Sequence, residues 1–487
     1  MIPSKRQETV YNEWQTTNNN ILINAVAGSG KSSTLLEILK LCDARTLFLS
    51  FNKSIQEEIQ SKIDTKGLKQ GKAITLHSLG LSSLKTNYKY TVNNSKNYDL
   101  IKELQSSEKS YFKHLKWEDK LKITYVLMDM NDASRLFLTN DIDKINKYLL
   151  VMDKVIMKES DIKNMWEKLI IIRDKSYENK TMQIDFIDML YVPIIKDLYI
   201  PINPTYLLLD ECQDFSLLQH KLVKKLIEQG TVKKFIAVGD RNQAIYSFSG
   251  AFSSSFDYFL DYPNTIELPL DICYRCPTKV IDIANDIYDV MQYFTADEGV
   301  VAEIDEVIHI KDNSMIICRN SKPLIDLYFQ LISNGKSVYI KGDDILNNLI
   351  RFLKPYIKHN CFYAKTEMQY KLDNLLRDTT DSGKIQSYYF KETFEQFKML
   401  MQYFAKNNEK VDVVINKLND LFVDKKDAIM LCTIHKSKGL EADIVYILQE
   451  NLIPSKFAKS AEQLIQENNL KYVARTRAKK ELYFLNI

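Results

Sequence analysis

Leu22-Ile23-Asn24-Ala25-Val26-Ala27-Gly28-Ser29-Gly30-Lys31-Ser32-Ser33 is an apolar run that breaks into a glycine-rich turn and ends on Gly-Lys-Ser. It reads as a phosphate cradle. A buried strand stops there, small residues let consecutive backbone N–H groups point at phosphate oxygens, and the helix that follows turns its positive dipole end to the same anion. Ala27, Gly28, Ser29, Gly30 and Ser33 shape the cradle, Lys31 reaches the β- and γ-phosphates, and Ser32 holds Mg2+. ATP with Mg2+ is the expected ligand. Ala25 stands where the GxxxxGK[ST] pattern has its first glycine, so the loop alone leaves a chance match open.

A second stretch closes that opening. Tyr206-Leu207-Leu208-Leu209-Asp210-Glu211-Cys212-Gln213-Asp214 places two carboxylates after four apolar residues, the pattern of a buried parallel strand whose carboxyl end enters a ligand crevice. Asp210 is expected in the Mg2+ shell, and Glu211 where it orients or deprotonates the attacking water.

The chain has 487 residues, 45% hydrophobic and 26% charged, enough for about three or four cores. Its net charge of +3, from 66 basic and 63 acidic residues, assigns any nucleic-acid contact to a local groove rather than a basic surface. Met1-Ile2-Pro3-Ser4-Lys5-Arg6-Gln7 carries no signal-peptide core, and no run of about 18 apolar residues spans a bilayer. A cytoplasmic protein without membrane contact is expected, or one in the host cytoplasm if viral. The 7 cysteines lie scattered in apolar or motif contexts, which suits reduced thiols. Cys273 and Cys276 form a CxxC with no second pair at zinc spacing.

Strands at Thr46–Phe51 and Ala73–Leu76 flank a helix over Ser54–Ile63, and strands return at Tyr206–Leu209 and Phe235–Val238. Between them, lysine-rich and glycine-poor sequence of helical period, as in Tyr111–Met128 and Ile142–Met157, reads as a helical insertion. A second α/β unit is expected from Asn264, with strands at Thr265–Leu268 and Ser314–Cys318, a helical interruption over Asp344–Lys426, and strands at Ala428–Thr433 and Lys480–Leu485. Closing on a strand, the chain is expected to carry no fused nuclease.

Four further motifs follow in order: Gly239-Asp240-Arg241-Asn242-Gln243-Ala244-Ile245-Tyr246-Ser247-Phe248-Ser249-Gly250-Ala251, Leu270-Asp271-Ile272-Cys273-Tyr274-Arg275-Cys276-Pro277, Thr433-Ile434-His435-Lys436-Ser437-Lys438-Gly439-Leu440-Glu441 and Leu470-Lys471-Tyr472-Val473-Ala474-Arg475-Thr476-Arg477-Ala478. At these residues the chain resembles the UvrD/Rep-type superfamily 1 DNA helicases over almost its whole length. The resemblance implies an α/β fold of two RecA-like P-loop NTPase domains, parallel sheets flanked by helices, with helical insertion domains. The first domain would comprise 1–87 and 185–263 with an insertion at 88–184, and the second 264–343 and 427–487 with a short insertion at 344–426.

The same resemblance assigns roles. Gln7 would read adenine, Tyr274 would stack on it, and Glu441 would meet the ribose or γ-phosphate side. Gln243 would sense the γ-phosphate, and Arg275 and Arg477 would stabilise charge on it. Phe51, Asn52, His77, Tyr246, Phe248 and His435 would line the DNA track, where aromatic faces accept any base. ATP hydrolysis between the two domains would drive movement on single-stranded DNA, 3′ to 5′, with unwinding at duplex junctions by a monomer. Two departures bear on this: Ser249 and Ser33 stand where family members place arginines, near the DNA and the adenine. A translocase that strips proteins from DNA with little unwinding, and a nucleotide-switched DNA-binding subunit of low turnover, are the alternatives. Repair, replication, recombination and defence all suit such a protein.

Overall fold

The computed structural model describes residues 3–115, 117–151, 159–178, 181–245, 254–342, 357–358, 361–362, 416, 419–420, 422–423, 425–456 and 458–487. The chain divides into two compact units, Met1–Asp271 and Ile272–Ile487.

Six strands form the main sheet of the first unit: β1 (Asn20–Ala25), β2 (Thr46–Ser50), β3 (Gly71–Thr75), β6 (Tyr206–Leu209), β7 (Lys234–Gly239) and β8 (Thr265–Leu270). Their order is β3-β2-β6-β7-β1-β8, and every neighbouring pair is parallel. Parallel neighbours need crossovers. These are α2 (Lys31–Leu41), α3 (Lys53–Thr65) and α11 (Leu217–Glu228), while α1 (Lys5–Thr16) precedes the sheet and α4 (Leu76–Asn87) and α10 (Asp188–Ile195) lie between β3 and β6 in sequence. Because successive strand side chains face opposite ways, β1 sends Ile21, Ile23 and Ala25 into one core with Leu35, Ile38 and Leu39. Leu22 enters the other, with Leu207, Leu209, Phe235 and Leu218. Both faces are covered, which is why the central strands read as unbroken apolar runs.

Between α4 and α10 the chain leaves and returns through a two-stranded neck. The strands β4 (Lys89–Val92) and β5 (Thr181–Ile184) pair in parallel, Lys89 opposite Thr181 and Val92 opposite Ile184. The helices α5 (Lys96–Ser107), α6 (Lys109–Lys113), α7 (Trp117–Leu136), α8 (Ile142–Val151) and α9 (Glu159–Lys175) fall between them, around a core that includes Leu104, Leu127, Ile145, Trp166 and Leu169. Residues 152–158, part of the helix expected over Ile142–Met157, lie outside the described residues.

One strand is placed differently from the sequence reading. Thr265–Leu268, expected to open the second unit, pairs along β1 from Asn20 opposite Thr265 to Ala25 opposite Leu270, and the first unit runs on to Asp271. Pro269 explains the position: proline has no N–H for a ladder and is tolerated on the edge strand that β8 is. Edge character is legible in sequence, but which of two sheets owns the edge is not.

The second unit opens with β9 (Ile272–Cys273), α12 (Thr278–Asn285) and β10 (Gln292–Tyr293), where β10 pairs parallel to β9. Its main sheet comprises β11 (Val300–Ile304), β12 (Met315–Cys318), β13 (Val338–Ile340), β16 (Ile429–Thr433), β17 (Ala442–Leu448) and β18 (Ala478–Leu485). The order is β11-β18-β17-β12-β16-β13, again parallel throughout. The helices α13 (Ser321–Ser333), α14 (Ile434–Ser437) and α15 (Ala461–Arg475) belong to this unit, and Ile316, Leu324, Leu331, Leu431 and Tyr446 share its core. Of the expected interruption at 344–426, most lies outside the described residues; β14 (Ile357–Lys358) and β15 (Cys361–Phe362) form an antiparallel pair there.

Candidate nucleotide site and nucleic-acid contacts

The order of the first sheet sets β6, β7 and β1 side by side, so their polar carboxyl ends converge. The strand β1 ends on buried Ala25. The Val26 N–H then donates to the Leu270 carbonyl at 3.0 Å and the Ser29 N–H to the Val26 carbonyl at 3.3 Å. Gly28 and Gly30 take left-handed φ angles of 70° and 81°, a conformation that glycine adopts without a Cβ penalty. Gly30 caps α2 without a side-chain hydrogen bond, which leaves the first-turn amides directed outward at the positive end of the helix. Ser29 Oγ is buried without a hydrogen-bond partner. A ring of backbone donors and an orphaned hydroxyl fit a polyphosphate. Lys31 Nζ lies 3.4 Å from the Ala25 carbonyl, and Ser33 is exposed on the first turn of α2.

Ser32 Oγ donates to Asp210 Oδ2 at 3.1 Å. Burial first, then the neighbouring Glu211, push the Asp210 carboxyl up to about 7, with Lys31 and Ser32 pulling the other way. A hydroxyl beside a carboxylate starved of positive charge fits Mg2+. Glu211 adopts a left-handed φ of 53° and its N–H donates to Asp210 Oδ1 at 3.0 Å. That kink turns the chain at the strand end. Gln213 Nε2 donates to Glu211 Oε2 at 2.5 Å, and Gln213 Oε1 accepts from the Asp240 N–H at 3.1 Å. Gln243 Nε2 donates to Asp240 Oδ2 at 2.7 Å. The amide of Gln213 therefore ties the acidic end of β6 to the end of β7, and Gly239 makes room for it: a Cβ there would lie 2.4 Å from Gln213 Oε1.

Lys31, Ser32, Asp210, Glu211 and Gln243 thus belong to one cluster, joined by two residues the sequence reading passed over, Gln213 and Asp240. Their signal was an amide and a carboxylate in the polar tails of two buried strands. Gln7 lies at the same end, 7% exposed. Its Oε1 accepts from the Ser4 N–H at 3.0 Å in a capping box, and its Nε2 donates to Thr34 Oγ1 on α2 at 3.1 Å.

In the second unit, Arg275 Nε donates to Glu441 Oε2 at 2.7 Å and Nη1 to the Thr476 carbonyl at 3.2 Å. Burial raises the Glu441 pKa, but Arg275, Lys479 and Arg477 outweigh it and hold the carboxyl below its usual range. Arg477 is 1% exposed, donating to the Val473 and Leu440 carbonyls and to Thr476 Oγ1. The Tyr274 ring meets exposed Phe294, with centroids 4.5 Å apart and planes at 56°.

Of the expected DNA contacts, Tyr246 and Phe248, with Ser249, lie outside the described residues. Asn52 is exposed and caps α3, its side chain accepting from the Ile55 N–H at 2.9 Å, while Phe51 is half-buried against the core. His77 stacks on Phe186 with ring centroids 3.7 Å apart and planes at 24°. Burial lowers the His77 imidazole to about 4, so the ring is neutral. Phe186 is 58% exposed and was not singled out from sequence; its signal was an aromatic between two carboxylates, Asp185 and Asp188. His435, on α14, is lowered to about 3 by burial and by Arg319, Lys438 and Lys436.

A parallel sheet whose strand ends carry a phosphate loop and an Asp-Glu pair defines a P-loop nucleotide-binding protein. The UvrD/REP helicase N-terminal domain matches residues 5–262 and the UvrD-like helicase C-terminal domain residues 412–487. The first alone covers more than half of the 487 residues, and the chain belongs to the UvrD/REP helicase family. It is 24% identical over 323 residues to the ATP-dependent DNA helicase Rep of Buchnera aphidicola subsp. Baizongia pistaciae, covering 61% of this chain and 46% of that protein. With Rep of Buchnera aphidicola subsp. Schizaphis graminum identity is 21% over 625 residues, covering 97% of this chain and 92% of that protein. The ATP-dependent DNA helicase PcrA of Leuconostoc citreum is 24% identical, with 56% of this chain and 37% of that protein covered. The chain spans less than half the length of the first of these relatives.

Proposed function

We propose that the chain is an ATP-dependent DNA helicase that moves along single-stranded DNA, 3′ to 5′, and opens duplex ahead of it. The observation that carries this reading is the cluster at the carboxyl ends of β1, β6 and β7, in which Ser32 bonds Asp210 and Gln213 links Glu211 to Asp240. Lys31 and the loop amides bind the phosphates of ATP, and Mg2+ held by Ser32 and Asp210 would supply neutralisation of charge on phosphate oxygens. Glu211 orients the attacking water and accepts its proton, in an attitude set by Gln213. Gln243, bonded to Asp240, senses the γ-phosphate.

Arg275 and Arg477 stabilise negative charge developing on that phosphate, an effect worth about 10³ to 10⁵ in rate where such arginines have been measured. Tyr274 stacks on adenine and Glu441 serves the ribose or γ-phosphate side. Gln7 reads the adenine edge by exchanging its bond to Thr34. On the DNA side the reading assigns Phe51, Asn52, His77, Phe186, Tyr246, Phe248 and His435, each ring taking a base at about 1–3 kcal/mol. Insertions at 88–184 and 344–426, a monomeric state and a cytoplasmic setting belong to the same proposal.

The test is steady-state ATP hydrolysis by the wild type and Glu211→Gln, without nucleic acid, with single-stranded DNA and with single-stranded RNA, at one salt concentration. Strong stimulation by DNA that Glu211→Gln abolishes supports the motor. No stimulation by either strand overturns it and favours a nucleotide-switched binding subunit.

A further inference from the structure

The turn that carries Phe186 is held from outside itself. Asp185 and Asp188 cap each other across it: the Asp185 N–H donates to Asp188 Oδ2 at 3.1 Å and the Asp188 N–H to Asp185 Oδ1 at 2.9 Å. Both carboxylates are then gripped by the helical insertion. Arg135 on α7, 0% exposed, donates through Nη1 to the two Asp185 oxygens at 2.8 and 2.7 Å and to Asp188 Oδ1 at 2.8 Å. Its Nη2 donates to Asp132 at 2.6 Å. Lys96, at the start of α5, donates to Asp188 Oδ2 at 2.6 Å, and the Tyr177 hydroxyl, beyond α9, to Asp188 Oδ1 at 2.5 Å.

Charges this deeply buried are an expensive way to gain stability, since well-packed apolar side chains hold a fold as well or better. What a guanidinium fork adds is direction, because each donor fixes an acceptor in the plane of the group. Here the side-chain donors, Arg135, Lys96 and Tyr177, all come from the insertion, and the two carboxylates they orient bracket one exposed aromatic ring. Burial opposes charge on Asp188, yet Arg135, Lys96 and Tyr177 outweigh it and hold the carboxyl below its usual range. Asp188 therefore stays ionised at neutral pH.

We infer that Arg135, Lys96 and Tyr177 are positioning residues that aim the Phe186 ring onto His77, so that the helical insertion sets the grip of the first unit on single-stranded DNA. The inference rests on the reading of Phe186 and His77 as a base-stacking platform. Release of the clamp lets the turn rotate, and the stack is lost while the nucleotide site keeps its own contacts.

The test uses the full chain and fluorescein-labelled oligo(dT). Binding is followed by anisotropy, and the DNA concentration that half-saturates ATP hydrolysis is measured for the wild type, Phe186→Ala, Tyr177→Phe, Arg135→Lys and the clamp variants combined with Phe186→Ala. Phe186→Ala is expected to weaken binding about five- to 150-fold. Tyr177→Phe, which removes one hydrogen bond, and Arg135→Lys, which removes the fork, should each raise half-saturation about two- to tenfold. The DNA-free rate and the rate at saturating DNA stay unchanged in both. Most of the clamp effect should vanish once the Phe186 ring is gone, the non-additivity of groups acting through one another.

Clamp variants that are silent, or that cost as much without the ring as with it, overturn the inference alone. A silent Phe186→Ala overturns the platform, and the clamp with it. If Arg135→Lys does not fold, Tyr177→Phe decides by the same comparison.

Discussion

At the residue scale, Asp210 is governed by its neighbours. Its carboxyl is pushed up to about 7 by burial and by Glu211, so the folded protein binds this proton more tightly than the unfolded chain does. Stability from this group is therefore present below the ordinary carboxylate value and is lost as pH rises toward 7. A Mg2+ held by Asp210, as proposed, would have to displace the proton. Below pH 7 the apparent Mg2+ affinity is expected to weaken by about tenfold per pH unit, and Asp210→Asn to abolish that dependence. Titrating Mg2+ into the ATPase reaction at pH 6, 7 and 8 checks it, with a flat response as the contrary result. Glu211 offers a second test through its φ of 53°. A left-handed backbone costs a residue with a Cβ about 1–2 kcal/mol that glycine is spared. Glu211→Gly is expected to melt above Glu211→Ala, the reverse of the usual order, with both inactive in hydrolysis; equal melting temperatures would show the turn to be relaxed.

At the element scale, α1 depends on a lysine from β7. Lys234, 5% exposed, donates to the Trp14 and Thr17 carbonyls at 2.9 and 2.8 Å, occupying acceptors at the end of α1. Burial lowers the ammonium's pKa, against Glu13, which raises it. Lys234→Met keeps the length and strands those carbonyls, a cost of about 1–3 kcal/mol. Equilibrium urea unfolding measures it, and an unchanged midpoint would mean that water replaces the ammonium. The contact also marks where sequence reading stops. Lys31, Ser32, Asp210 and Glu211 are legible because each lies at fixed spacing from an apolar run that signals a strand end. Gln213 and Phe186 are not, since their partners stand 27 positions away at Asp240 and 109 away at His77, distances that only the strand order and the return of the insertion close. The ownership of β8 was hidden for the same reason.

At the scale of the whole molecule, each unit has its own sheet and its own cores. Independent cores predict two calorimetric transitions rather than one cooperative event. Only the first unit carries the phosphate loop, so a non-hydrolysable ATP analogue with Mg2+ is expected to raise the transition of that unit by mass action. Lys31→Ala should cancel the shift. A single transition in the wild type, moved as a whole by nucleotide, would overturn the expectation. The class of fold was legible because two sets of apolar strand runs end in polar motifs, whereas the neck of the insertion, two four-residue strands in a lysine-rich region, gave no periodic signal to read.

That neck bears on how the protein could be remodelled. Antiparallel strands can be joined by a two-residue turn, but β4 and β5 run the same way, and a parallel pair needs a crossover of about a dozen residues or more. The helices between them can be exchanged or resized, but they cannot be pared down to a hairpin. The position is a socket for a module and never a loop to be trimmed, and whatever fills it inherits the seat from which Asp185 and Asp188 are held.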